Sequence, residues 1–189
     1  MSHSDEFLQQ LGDCIRSRRT VGQFEPELVS RELIMDAIEV ACWAPNHRKT
    51  EPWRYYLLGP ETIAASVELT RIVVTERKGE KLGEFKAADA AKRPGWMVIT
   101  SARSDDELLQ QEDYAATCCA VQNLMLYLSA AGVATKWATG PITRDARFYE
   151  LLGISSDAEN IVGIIWYGYP KMVPQQQRNA FTESVVELD

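Results

Sequence analysis

The chain has 189 residues, 46% hydrophobic and 25% charged, enough apolar material for a core and no compositional sign of disorder. A formal net charge of −7 argues against a general nucleic-acid surface, which needs a basic face, but leaves room for a small anion held by locally placed Lys and Arg. No apolar run approaches the ~20 residues of a membrane span, and the acidic start Met1-Ser2-His3-Ser4-Asp5-Glu6 is unlike a signal peptide.

Cys14, Cys42, Cys118 and Cys119 form no CxxC pair and sit in apolar helical contexts. They are expected to be reduced core residues of a cytoplasmic protein. His3 and His47 lack a matching Cys or carboxylate cluster, so no metal site is expected.

Along the chain, Phe7, Leu8, Leu11, Cys14 and Ile15 share one helical face, leading into the basic end Arg16-Ser17-Arg18-Arg19. Ser30 reads as the N-cap of a second helix with Leu33, Ile34, Ala37, Ile38, Ala41 and Cys42 inward. Pro45 ends it, a polar loop follows, and Trp53 to Leu58 reads as a strand closed by Gly59-Pro60. Residues 61 to about 90 are helical by composition, in two pieces parted near Gly79, and Trp96 to Thr100 is a short strand.

Asp105 and Asp106 precede a long helix with Tyr114, Cys118, Val121, Met125 and Leu128 on one seam. Ala115, Ala116, Cys119, Ala120, Leu124 and Leu126 make its other side apolar too, so a second subunit is expected to cover part of it. Gly132 reads as a left-handed cap, Val133 to Ala138 as a strand, and Thr143 as the cap of a brief helix through Leu152. Ile161 to Tyr169 reads as a central strand, and Ser184 to Leu188 as an edge strand. Without repeats or a low-complexity linker, residues 1–189 are expected to form a single domain, whose sheet topology this order leaves open.

No GxGxxG follows a strand, and neither a P-loop nor a GxSxG is present. Three segments stand out. Arg18-Arg19-Thr20 offers two guanidinium groups and a hydroxyl for a phosphate, or caps a helix end. Trp43 to Trp53 is a rigid loop of two prolines, two tryptophans and six polar-tipped side chains, or a helix stop with core tryptophans. Lys136-Trp137-Ala138-Thr139-Gly140-Pro141 is a strand end where Gly140 lets backbone approach a planar ligand, or a plain turn.

Together, Arg-Arg-Thr, Ala-Pro-Asn-His followed by Glu-Pro-Trp, and Gly-x-x-x-x-Trp-x-Thr-Gly resemble the FMN-dependent nitroreductase family, in its small single-domain branch. The likeness runs from Arg18 to the tail, with Glu112-Asp113-Tyr114 also familiar. It implies an α+β fold with a mainly antiparallel central sheet flanked by helices, a long central helix at a homodimer interface, and exchange of C-terminal strands. By position, Arg18, Arg19 and Thr20 would hold the FMN phosphate and ribityl end, with Arg178 a further basic residue for the phosphate. Trp43 and His47 match cofactor-contacting positions where the second subunit contributes; Trp137, Ala138 and Thr139 would run beside the ring, with Gly140 at its open edge.

The resemblance implies hydride transfer from NADH or NADPH through flavin N5 to an electron-poor small molecule such as a nitroaromatic, quinone or enone, by ping-pong kinetics. No side chain is then the catalyst. A non-catalytic flavin-binding or redox-responsive protein, or other flavin chemistry on the same fold, are the alternatives. The chain departs from many relatives at Lys49 and Glu51, where those carry Asn and Gln, and at Ala138, where some carry Arg or Lys.

Overall fold

The structure is a computed structural model that describes residues 3–188. Four antiparallel strands carry it: β1 (Trp53–Leu57), β2 (Gly95–Ala102), β3 (Ala134–Ala138) and β4 (Glu159–Gly168), in the order β1-β2-β4-β3. β4 therefore lies inside the sheet, as its apolar run anticipates. Both faces are covered, so alternation is hidden in β2, seven of whose eight residues are buried.

One face packs on α2 (Arg31–Ala41) and α5 (Glu107–Ala130), through Met97, Ile99 and Ile165 against Ile34, Ala120 and Leu124. The other packs on α3 (Pro60–Lys78), α4 (Glu80–Ala90) and α6 (Ala146–Leu152), through Trp96, Val98 and Ile164 against Leu69, Val73, Ala90 and Phe148. Gly79, at φ 91°, separates α3 from α4 where expected, and its successor helix folds back on α3. Their close approach rests on Gly83, where a Cβ would meet Thr75 Oγ1 at 2.0 Å and the Arg71 carbonyl at 2.7 Å.

The caps show why the helices stop and start where they do. Ser30 Oγ accepts the Leu33 N–H at 3.2 Å, and Asp106 accepts those of Leu108 and Leu109. After α5, Gly132 adopts φ 77°, and the Val133 N–H reaches back to the Leu128 carbonyl at 2.9 Å, a Schellman closure. The α6 cap is a correction. A 3-10 turn, Pro141–Arg144, comes first, and Asp145 rather than Thr143 caps the helix, accepting the Arg147 N–H at 3.1 Å.

Two further expectations change, and one apolar face is left open. None of the cysteines is a fully buried core residue: Cys42 and Cys119 are exposed, and Cys14 and Cys118 half-buried. The apolar face of α1 (His3–Ser17) does not turn inward, since Phe7, Leu8, Leu11 and Ile15 are all exposed on the chain. Ser184 to Leu188 forms no strand with its own sheet; the exposed tail holds only the 3-10 turn Phe181–Ser184. Helical periodicity marks which residues share a face but not what covers that face. No helix of the described chain is long and apolar enough to cross a membrane.

Candidate functional site

The first cluster forms where α1 ends against the free edge of β3. The Arg18 N–H still bonds the Cys14 carbonyl at 3.2 Å, after which the chain runs extended: Thr20 pairs in parallel with Thr135, and the Val21 N–H donates to the Thr135 carbonyl at 3.1 Å. Residues 23–25 then pair with the start of the tail, through Glu25 N–H to the Tyr169 carbonyl at 2.8 Å and Lys171 N–H to the Gln23 carbonyl at 3.1 Å. Further along the tail, Arg178 adds its charge to the surroundings of Arg18. Burial first, then Arg178 and Arg19, hold the Arg18 guanidinium below its ordinary value. Among the described residues no carboxylate lies within 4.0 Å of Arg18 or Arg178.

Arg19 behaves differently from its neighbour. Its Nη1 donates to the Arg16 carbonyl at 2.5 Å and the Arg18 carbonyl at 3.0 Å, the helix-end role that its position also allowed. Arg18 and Arg19 both line a cavity of about 250 Å³ whose far side includes Thr135 and Pro170. Two arginines in the wall of one open cavity are suited to an oxyanion, which relieves the repulsion between their charges.

A second cavity of about 410 Å³ opens on the opposite sheet face, under α3 and α4, and Ala138, Thr139 and Gly140 form part of its wall. Thr143 pins that turn: its N–H and Oγ1 both donate to the Gly140 carbonyl, at 3.0 and 2.9 Å. A Cβ on Gly140 would meet nothing within 4 Å, so the turn has open space beside it. Trp137 points the other way. Its ring lies over Gly163, with Nε1 donating to the Val162 carbonyl at 3.3 Å, so it buttresses the strand and does not line the cavity.

Trp43 and His47 join neither cluster. Trp43 is 80% exposed with its indole N–H on Glu39 at 2.8 Å, His47 is exposed, and neither lines the two cavities. Their loop is nevertheless firmly built. Asn46 Oδ1 accepts the Glu51 N–H at 2.8 Å, Thr50 Oγ1 donates to the buried Asp113 at 2.5 Å, and Arg48 lies 3.6 and 3.7 Å from Asp106 and Glu112. Lys49 and Glu51 are held at φ 54° and 46°.

Sequence reading passed over several residues that line the second cavity: Lys78, Lys86, Lys136, Trp96 and Trp166. Only Lys136 lay inside a marked motif. The others are scattered over α3, α4 and two strands, and only the packing of those helices over the sheet gathers them. Arg93 was also passed over. It is 5% exposed, bonded to Asp89 at 2.6 Å and to the Gly22 carbonyl, with its guanidinium 5.3 Å from the Trp166 ring.

Comparison with known proteins bears directly on this arrangement. The sequence model of the Nitroreductase family matches residues 15–169. The Bacillus subtilis protein YfhC, named an NAD(P)H nitroreductase, is 34% identical over 183 residues, spanning 92% of this chain and 93% of that protein. A nitroreductase-like family protein from Bacillus cereus superposes with a TM-score of 0.84 at 28% identity, covering 95% of this chain and 96% of the other. A Desulfovibrio desulfuricans structure solved in complex with FMN shares the fold, with a TM-score of 0.76 at 19% identity, covering 95% and 96% of the two chains. The chain belongs to the nitroreductase family.

Proposed function

We propose that this chain, as a cytoplasmic homodimer, binds FMN and passes reducing equivalents from NADH or NADPH to an electron-poor small molecule such as a nitroaromatic, quinone or enone. The observation that carries this reading is the cavity at the end of α1, which Arg18 and Arg19 both line, with no carboxylate within 4.0 Å of Arg18 among the described residues. The donor set fits the cofactor's phosphate. The B. subtilis relative's name specifies NAD(P)H, and the D. desulfuricans structure of the same fold holds FMN.

When bound, FMN supplies the hydride chemistry that no side-chain dyad of the chain offers. The chain's own work is to bind, orient and exclude water. Arg18 and Arg178 hold the phosphate, with Arg19 beside them and the Thr20 hydroxyl at the ribityl end. Ala138, Thr139 and Gly140 border the ring; among the described residues, the Thr139 and Gly140 N–H groups donate to no backbone acceptor outside the regular elements, which leaves them to its polar edge. Trp137 braces the strand behind them. Trp43 and His47 reach the partner's site, which accounts for their exposure on one chain. With FMN held there, donor and acceptor would bind in turn, giving ping-pong kinetics. The unpaired cysteines suit a reducing compartment.

The test is an absorbance spectrum of the purified protein, before and after anaerobic NADPH and then NADH. Flavin bands that bleach are expected. Bands that persist with both donors would assign a binding or sensing role, and a protein that stays colourless after incubation with FMN would overturn the reading.

A further inference from the structure

Arg93 is a cation kept inside the molecule. It is 5% exposed and comes from the turn after α4, where its own N–H bonds the Ala90 carbonyl at 3.1 Å. Its guanidinium divides its donors between two parts of the chain. Nη2 donates to Asp89 of α4 at 2.6 Å, and Nη1 donates to the carbonyl of Gly22, 71 residues away. The Phe24 and Trp166 ring centres lie 5.8 and 5.3 Å from it. Pro94, next in sequence, meets Phe24 over Gly168, where an added Cβ would stand 2.6 Å from Pro94 Cγ and 3.2 Å from Phe24 Cδ1.

Gly22 lies two residues beyond Thr20, on the extended segment that leads away from Arg18 and Arg19. Backbone pairing holds that segment at two places: the Val21 N–H on the Thr135 carbonyl, and then the bonds of Glu25 with Tyr169 and of Lys171 with Gln23. Between them, among the described residues, the Gly22 carbonyl receives no backbone N–H, and Arg93 supplies the donor. A planar guanidinium held by a carboxylate and flanked by aromatic rings fixes both the place and the direction of that bond.

We infer that Arg93 is a positioning residue for the phosphate end of the cofactor. Val21 lines the first cavity beside Arg18 and Arg19, whereas Asp89, Ala90 and Trp166 line the second. Arg93 ties one set to the other, so the arginines at the end of α1 stand at a fixed place relative to the turn of Ala138–Gly140. Apolar side chains of like size often replace a buried ion pair without loss of stability, so the gain from this one is geometric. The inference rests on the flavin reading above.

The test is fluorescence titration of the flavin-free full chain with FMN and with riboflavin, which lacks only the phosphate. The parent should prefer FMN, and Arg93→Met should cut that preference about tenfold, the scale of one hydrogen bond to a charged group. Arg18→Ala should lose the same preference, and adding Arg93→Met to it should remove little more, because a positioning residue acts through the groups that it positions. An equal loss of affinity for both flavins in Arg93→Met would mean general loosening and overturn the inference. An unchanged preference, a loss that adds in full to that of Arg18→Ala, or a parent that binds both flavins equally would overturn it too. If Arg93→Met does not fold, Asp89→Ala decides: at a partly exposed position it releases Nη2, and the FMN preference should fall in the same direction, an unchanged one overturning the inference. A parent that takes up neither flavin sinks the flavin reading instead, and inorganic phosphate becomes the probe. Phosphate binding that Arg93→Met weakens would keep the positioning role, while equal binding by both chains, or none by the parent, would end it.

Discussion

Lys49 and Glu51 hold φ of 54° and 46°, a region that costs an L side chain about 1–2 kcal/mol and that Asn tolerates better. Asn46 and Thr50 enforce that shape from within the loop, and Asp113 from outside it. An Asn at position 49 would suit this backbone. Lys49→Asn is therefore expected to stabilise the chain by about 0.5–1 kcal/mol, read as a higher urea midpoint at unchanged slope. An unchanged midpoint would mean that the loop relaxes in solution. The two adjacent arginines can be separated in the same spirit. Arg18→Ala should weaken FMN binding by about 1.5–3 kcal/mol in a fluorescence titration, and Arg19→Ala by less, because the Arg19 guanidinium serves the end of α1. Unchanged affinity in Arg18→Ala would remove that residue from the site.

At the level of elements, β3 is set by what lies beneath Trp137. A Cβ on Gly163 would stand 2.3 Å from Trp137 Nε1 and 3.1 Å from the Ala138 carbonyl. Gly163→Ala must therefore displace the indole or the strand, and is expected to cost about 1–3 kcal/mol in denaturant unfolding. A cost near zero would show that the ring can step aside. The helix caps govern the acid side of stability. The Asp106 carboxyl is held below its ordinary value, foremost by the Leu109 N–H, and that of Asp145 foremost by Arg147. Folded values below the unfolded ones mean stabilisation that is present above about pH 4 and lost as pH falls through the folded values. Asp106→Asn keeps the cap without the titration, so its urea midpoint should fall less steeply below about pH 4 than the parent's.

The whole molecule is apolar where one chain has nothing to bury against. Phe7, Leu8, Leu11 and Ile15 of α1, Tyr114 of α5, and Phe181, Val185 and Val186 of the tail are exposed together. Patches of this kind mark association surfaces. The chain should sediment at twice its 21.3 kDa. Ala115→Arg, on the exposed strip of α5 beside Cys119, should shift it toward the single chain and reduce FMN affinity, since Trp43 and His47 then have no partner site to enter. A monomeric variant with full FMN affinity would place the whole site within one chain.

What the residues determined by themselves is local. Ser30, Asp106, Gly79 and Gly132 mark helix ends because capping and left-handed backbone depend on one or two side chains. The long run of β4 marks an inner strand because both of its faces meet apolar neighbours. The ordered motifs from Arg18 to Gly140 pointed to the family because they are short and consecutive. Tertiary structure decided everything that needed distant residues to meet. It set the order β1-β2-β4-β3, turned Trp137 away from the cavity that Ala138 enters, and turned the apolar face of α1 outward. It also separated Arg18, which has no carboxylate within 4.0 Å among the described residues, from Arg19, which donates to carbonyls at the end of its own helix. The gathering of Lys78, Lys86, Lys136, Trp96 and Trp166 around one cavity belongs to this second class. Periodicity records which side of an element a residue occupies; only packing decides which sides face one another.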